Sequence, residues 1–310
     1  VTLQQQIRAN RWRTLLLFVL FGALIALVLG AVYFVVEPSL LILIGLGLVV
    51  YGVIMWFASG AVVASLAGAH PITRDQHPEL WQAVDAAAVG AGLARTPAVY
   101  IIEDPAPNAF AAGRDLKHAY VAATTGLLDI MGPRELRAVM AHEIAHVRNR
   151  DVRLMALTAV LAGALLILSD ILLRVFIFGG GRNNGNNPLA LIGVLVALVL
   201  APIGAAMIQM ALSRRREYLA DASAAEITGD PEGMARALAV LQADTRQVSH
   251  AGRATAHLYI ESPLIKGRGL MGNLGGLFQT HPPLDNRIAA LETAGGFTLD
   301  RTFLSDVPVQ

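Results

Sequence analysis

The chain has 310 residues, 24 Lys and Arg against 23 Asp and Glu, a formal net charge of +1 and no cysteine. With 15% of its residues charged and 55% hydrophobic, it is too apolar for an ordinary soluble enzyme, where about 25% are charged, and too apolar for disorder. The near-zero charge speaks against a nucleic-acid partner, and the lack of cysteine excludes disulfides, a thiol nucleophile and Cys-held metal, leaving His, Asp and Glu as donors.

In chain order, residues 1–69 read as an N-terminal arm followed by a membrane hairpin. Leu15 to Val36 carries no charge and is long enough to cross about 30 Å of hydrocarbon as a helix. Its length, with a second apolar run close behind, fits a span rather than a cleaved leader. Leu40 to Ala69 is also uncharged, and its first part, to about residue 60, is the natural second span.

Residues 70–153 read as mixed α/β. His77 to Leu93 has helical spacing, with Leu80, Trp81, Val84 and Ala88 on one stripe, whereas Pro97 to Ile102 and Ala119 to Thr124 are strand-like. Between the strands, Asp104 to Gly113 is turn chemistry and then a short extended stretch. A helix is expected to open at Gly132-Pro133, since Pro suits the first helical position, and to run through Arg150 into the next apolar run.

Residues 154–212 read as a second hairpin, with spans at about 154–178 and 189–212 around a Gly- and Asn-rich turn. Asp170 and Arg174 lie four apart on the first of these and can pair near the outer interface. Pro202 is a kink of the kind a bundle tolerates. Residues 213–310 continue the last span as a helix to Thr228. A second helix follows, with Asp230 as its cap and Pro231 and Glu232 in its first turn. Residues 249–280 are Gly-rich and aperiodic and read as a loop, before a last helix from Leu284 to Ala294. Arg8, Arg11 and Arg13 precede the first span, Arg148, Arg150 and Arg153 the third, and Arg214, Arg215 and Arg216 follow the fourth. The positive-inside rule then places the N-terminus and both large segments in the cytoplasm.

The chemistry concentrates in His142-Glu143-Ile144-Ala145-His146. Positions four apart on a helix share a face, so both imidazoles can reach one ion, and Glu143 projects beside it, placed to take a proton from water. A catalytic zinc takes three protein ligands and keeps one position open. The candidate third ligand is Glu217, which heads the helix leaving the membrane as His146 stands on the helix entering it. Both are expected roughly 10 Å above the same membrane face. Asp221, one turn beyond Glu217, is placed to accept a hydrogen bond from the non-ligating nitrogen of a ligand His.

These stretches resemble the HtpX membrane zinc metallopeptidases, relatives of the CAAX prenyl endopeptidases. HEIAHVRNRD at 142–151, EYLADASAAEITGDPEGMARAL at 217–238, THPPLDNRIAAL at 280–291 and APNAFAAG at 106–113 carry the resemblance, the last with Ala112 where Thr is commoner. It implies that His142, His146 and Glu217 hold one Zn2+ per chain, with Glu143 as general base and Asp221 bonded to a ligand His. It also implies that His281 and Arg287 lie near the metal, either one supporting the oxyanion. Asn108, Ala109 and Phe110 would form an edge strand that binds substrate backbone by strand addition. The other histidines, His70, His77, His118, His250 and His257, read as surface residues.

The expectation is an integral membrane protein, mainly α with a small β-sheet, in which four transmembrane helices join a cytoplasmic zincin-like α+β metalloprotease domain. The resemblance implies a bacterial-type inner membrane location and quality control of misfolded or damaged membrane proteins, the partners being those substrates and the lipid bilayer. Three other readings stand beside it. They are a prenyl-protein endopeptidase, an intramembrane metalloprotease (disfavoured by the charged flanks of the motif), and a transporter or non-catalytic zinc-dependent scaffold.

Overall fold

The computed structural model describes residues 12, 15–16, 18–26, 38–178, 199, 214–244, 246 and 282–308. The expected spans at 15–36 and 189–212 lie largely outside the described residues, and the loop 249–280 lies wholly outside them. In chain order the elements are α1 (Pro38–Ala67), β1 (Ala69–Pro71), α2 (Pro78–Gly90), β2 (Ala98–Ile102), β3 (Ala109–Ala112), β4 (Tyr120–Thr124), α3 (Thr125–Ile130), α4 (Pro133–Arg148), α5 (Asp151–Phe178), α6 (Arg214–Thr228), α7 (Pro231–Ala243) and α8 (Leu284–Gly295). A 3-10 turn over Thr302–Asp306 closes the chain. Mainly helix with a small sheet, the chain divides into two compact units, 1–59 with 154–211 and 60–153 with 212–310.

In the first unit, α1 as far as Ser59 is apolar on all sides, and α5 from Leu154 is apolar apart from Asp170 and Arg174 near its far end. Ile42 and Phe57 are 73% and 61% exposed, the pattern of a helix whose surroundings are lipid rather than water. Ser39–Ala67 and Asp151–Ile171 are each long and apolar enough to cross a membrane. Gly163 on α5 lies where any Cβ would strike the Tyr51 hydroxyl of α1, a close helix approach of the sort small residues permit in a membrane. The Arg174 Nε donates to Asp170 at 2.7 Å, one turn apart and both exposed.

The second unit is built on a four-stranded sheet in the order β1-β2-β4-β3. β2 and β4 run parallel, pairing Ala98 with Tyr120 through Ile102 with Thr124, while both outer strands are antiparallel. Because β2 and β4 are central and β3 pairs only with β4, β3 is an edge. The unit includes the last turns of α1, from Gly60 onward. The last turns of that helix are drawn into the core, where Ala64 and Ala67 join Ile102, Phe110, Tyr120 and Ala122, and the Tyr120 hydroxyl donates to the Gly60 carbonyl.

Helix α4 is the axis of this unit. It packs against α2, α6 and α7 and against β3 and β4, and between Glu135 and Val147 only Arg137 is not buried. Leu136, Val139, Met140 and Ile144 are all at most 3% exposed, and burying each such side chain contributes about 1.5–3 kcal/mol. A helix surrounded in this way holds its polar side chains in fixed positions, which a metal site requires.

The structure departs from the reading of the sequence in three respects. The buried stripe of α2 is Leu80, Ala83, Val84, Ala87 and Ala88, and Trp81 sits beside it under the Arg74 guanidinium, 4.7 Å from the ring. The six-residue α3, the three-residue β1 and the 3-10 turn are too short for periodicity to reveal. The motif helix also does not run on into the apolar run. It stops at Arg148, and Arg150 adopts φ 63°, the only positive φ at a non-glycine among the described residues, before α5 starts afresh at Asp151.

Candidate metal centre and active site

Helix α4 carries His142 and His146 one turn apart, and α6, packed along it, brings Glu217 to them. One ligand atom from each of the three lies within 4.8 Å of the others, and all three residues are buried. The His142 and His146 Nε2 atoms are 3.2 Å apart, with the Glu217 carboxylate 3.8 Å from the first and 3.7 Å from the second. The imidazole planes are nearly perpendicular, at 88°.

Each imidazole is held from behind. His142 Nδ1 stands 2.9 Å from Asp221 Oδ1, and His146 Nδ1 stands 3.0 Å from Asp151 Oδ2. A carboxylate accepts, so each Nδ1 carries the proton and each Nε2 turns a lone pair toward the other, beside a carboxylate. Three electron-rich groups at this spacing in a buried site repel one another unless a positive charge lies among them. Donor atoms about 2.0–2.1 Å from a tetrahedral ion stand roughly 3.3 Å from each other, close to the observed 3.2–3.8 Å. The donor set therefore fits a divalent cation. Without a bound cation, burial opposes protonation of His146, yet Asp151 and Glu217 outweigh it and push the imidazole up to about 9, so a metal ion at Nε2 would take the place of that proton. His142, where burial outweighs the Asp221 hydrogen bond, is shifted down.

The two supporting carboxylates are themselves supported. Asp221 is gripped by Arg287 of α8, whose Nε and NH2 donate at 2.8 and 2.6 Å, and Arg287 NH1 lies 3.6 Å from Glu217. Burial would raise the Asp221 pKa, but the guanidinium more than offsets it and holds the carboxyl below its ordinary range. Asp151 lies 4.0 Å from the buried Arg216 of α6. The centre is thus flanked by two parallel arrangements, His142–Asp221–Arg287 and His146–Asp151–Arg216.

Glu143, 2% exposed, lies on the strand side of α4 and accepts a hydrogen bond from the Ala111 backbone N–H of β3; burial is the main reason its carboxyl is pushed up to about 7. The Thr124 N–H donates to the Asn108 carbonyl, so Asn108 and Phe110 turn their backbone groups toward β4. Ala109 and Ala111 turn theirs away from β4, where the Ala109 N–H meets the Asn108 side chain and the Ala111 N–H meets Glu143. Asn108, Ala109 and Phe110 are all at most 2% exposed, and the Asn108 side chain accepts from the Ala109 N–H at 3.0 Å.

The structure thus brings together His142, Glu143, His146, Glu217, Asp221 and Arg287, with the 108–110 strand beside them. His281 lies outside the described residues. Arg287 lies near the ligand set as expected by resemblance, fully buried, with two of its nitrogens on Asp221. Asp151 and Arg216 were not legible as site residues. Two residues five apart on a continuous helix face about 140° away from each other, so spacing alone does not join His146 to Asp151. The break at Asn149-Arg150 turns Asp151 back beneath the imidazole.

Residues 74–294 match Peptidase family M48. The chain is 40% identical over 292 residues to a protease HtpX homolog of Tropheryma whipplei (strain Twist), covering 93% of this chain and 96% of that protein. It is 41% identical over 298 residues to a protease HtpX homolog of Streptococcus gordonii, covering 93% and 98%. Among solved structures it is similar in fold to the crystal structure of S. mikatae Ste24p, with a TM-score of 0.50, 18% identity, and coverage of 92% of this chain and 66% of that one. With a family match over most of its length and relatives aligned almost end to end, the chain belongs to peptidase family M48, among the HtpX protease homologues.

Proposed function

We propose that this metalloprotease is a zinc endopeptidase, embedded in the membrane with its site toward the cytoplasm, that hydrolyses unfolded or damaged membrane proteins. The observation that carries the reading is the buried His142, His146 and Glu217 cluster with Glu143 beside it and an edge strand in hydrogen-bond contact with Glu143. Four spans and a zincin-like catalytic domain complete the proposed architecture. The two apolar helices and the flanking arginines support it, and the basic residues at 148–153 and 214–216 support the cytoplasmic orientation.

His142, His146 and Glu217 would hold the zinc, which when bound would supply Lewis acidity toward water and the scissile carbonyl. Asp221 and Asp151 keep the two imidazoles in the tautomer that offers Nε2. Glu143 takes one proton from the attacking water as its oxygen bonds to the scissile carbon. It returns that proton to the departing amine as the C–N bond breaks, so the carboxylate ends as it began. A carboxyl pushed up to about 7 both accepts and releases a proton near neutrality. The outward backbone groups of Ala109 and Ala111 are where an extended substrate would add as a strand, recognition through main chain that tolerates varied side chains. Such a substrate must also displace the Ala111 N–H from Glu143, which frees the carboxylate as the substrate arrives.

The test is cleavage of an unfolded protein by the detergent-purified full chain after chelation and zinc replacement, beside Glu143→Gln. Zinc-restored cleavage by the wild type alone supports the reading; equal cleavage by both, or none by either with zinc bound, refutes it.

A further inference from the structure

A cavity of the same compact unit opens at the break between α4 and α5. Its volume is about 280 Å³, and Val147 and Val152 form its apolar part while Asp115, Lys117, Arg150 and Arg153 bring the charge. Leu116, 39% exposed, stands at its rim on the turn between β3 and β4. The one carboxylate is engaged inside that turn. Asp115 accepts from the backbone N–H groups of Lys117 and His118 at 2.8 and 2.9 Å, lies 2.7 Å from His118 Nδ1, and lies 3.7 Å from Arg114 Nε. Three cationic side chains and one carboxylate thus line the cavity.

Its position gives this charge a meaning. Arg150 and Arg153 bracket the start of α5, the helix long and apolar enough to cross a membrane from Asp151 onward. The first turn of such a helix stands at the level of lipid phosphates. The turn Arg114-Asp115-Leu116-Lys117 adds an exposed apolar side chain between cations, the combination that sets a leucine into the acyl boundary while cations meet headgroups. Arg150 holds φ 63° at a helix stop where glycine is the unstrained choice, so the chain keeps a cation there against its backbone preference.

We infer that the cavity bounded by Lys117, Arg150 and Arg153, with Leu116 at its rim, binds the phosphate headgroup of an anionic phospholipid of the cytoplasmic leaflet. The inference rests on the reading that α5 crosses the bilayer. It adds a ligand to the catalytic unit: β3 runs directly into the lipid-binding turn, so a bound headgroup ties the end of the substrate strand to the membrane surface. Substrates drawn from the bilayer would then meet an edge already fixed at its level.

The experiment titrates short-chain phosphatidylglycerol into the detergent-purified full chain and counts bound lipid by native mass spectrometry. Phosphatidylcholine of the same chain length and inorganic phosphate run as parallel arms. Lys117→Gln, Arg153→Gln and Arg150→Gly are compared with the wild type; the last removes a cation while easing the backbone, so misfolding does not explain its effect. A Lys or Arg near an anionic lipid surface is worth about fivefold in affinity. Each variant is expected to weaken phosphatidylglycerol about fivefold and the triple variant about a hundredfold, with phosphatidylcholine weak throughout. Unchanged phosphatidylglycerol affinity in a triple variant that keeps its zinc and its Tm overturns the inference. So does equal affinity for phosphatidylcholine, and so does inorganic phosphate competing at the same concentration as the lipid. Carbonate extraction of membranes on the same preparations separates the two readings: release of the wild-type chain sinks the membrane reading, whereas a retained chain indifferent to headgroup charge sinks this one.

Discussion

Replacing Asp151 with Asn exchanges one carboxylate oxygen for an NH2 group and removes a charge from beneath His146. The carboxylate now lies 3.0 Å from His146 Nδ1 and is 1% exposed, with Arg216 at 4.0 Å on its other side. A hydrogen bond to a charged group contributes about 1.5–3 kcal/mol, and each 1.4 kcal/mol is a factor of ten. If that energy serves to hold the imidazole in its ligating tautomer and orientation, its loss weakens zinc by roughly 10–100-fold, the range found for partners of metal-bound histidines. Asn can also present its NH2 to the ring, which forces the wrong tautomer and pushes the loss toward the upper end. The assay is competition for zinc against a chromogenic chelator, wild type beside Asp151→Asn, Asp221→Asn and the double variant, with Tm followed without metal. We expect each single variant to lose about 10–100-fold. The two losses should not simply add, because both imidazoles act on one ion. Wild-type zinc affinity in a folded Asp151→Asn protein would refute the positioning argument, and affinity lost only in step with Tm would make Asp151 a fold residue.

Further outcomes follow from the same geometry. Glu143→Gln keeps the buried shape but cannot take a proton, so peptide cleavage should fall by about 10²–10⁴-fold with zinc stoichiometry unchanged, measured by turnover and metal analysis on one preparation. Arg287→Met leaves the Asp221 carboxylate buried without its guanidinium and should cost about 3–5 kcal/mol. That loss would be read as Tm in detergent, and Arg287→Met/Asp221→Leu should recover much of the stability without recovering zinc affinity. Gly126→Ala drives a methyl into the Pro105 carbonyl at the start of α3, where the Gly126 N–H donates to Asp104 at 2.9 Å. Overpacking of this kind costs about 1–3 kcal/mol, so Tm should drop while zinc affinity per folded molecule holds.

What was legible in the sequence was what is local. Pro at the first position of a helix, an Asp cap accepting from Gly233, and four-residue spacings locate α4, α6 and α7, and the same spacing puts His142 and His146 on one face. The strands from 98 to 102 and from 120 to 124 were also readable, but their parallel pairing was not, because it depends on chain crossing between them. Arg287 was placed near the metal by resemblance. Its task became visible only when α8 was seen to deliver the guanidinium to Asp221, 66 residues earlier in the chain. No spacing rule reports on an ion pair made over that distance.

The least legible feature is the break between the motif helix and α5. Asn149 and Arg150 offer no glycine to mark a helix end, so the pattern reads as one helix from residue 133 into the apolar run. The stop has two consequences of opposite direction. On its inner side it swings Asp151 under His146, so the first residue of α5 supports a metal ligand. On its outer side it aims Arg150 into the basic cavity beside the turn that follows β3. Arg216, the second partner of Asp151, stands at the start of α6, immediately after the expected fourth span. The centre is thus held at His146 by residues that begin one apolar run and follow another. Substitutions at either helix start, Asp151→Asn or Arg216→Met, should therefore lower zinc affinity in the chelator competition although neither residue is itself a ligand.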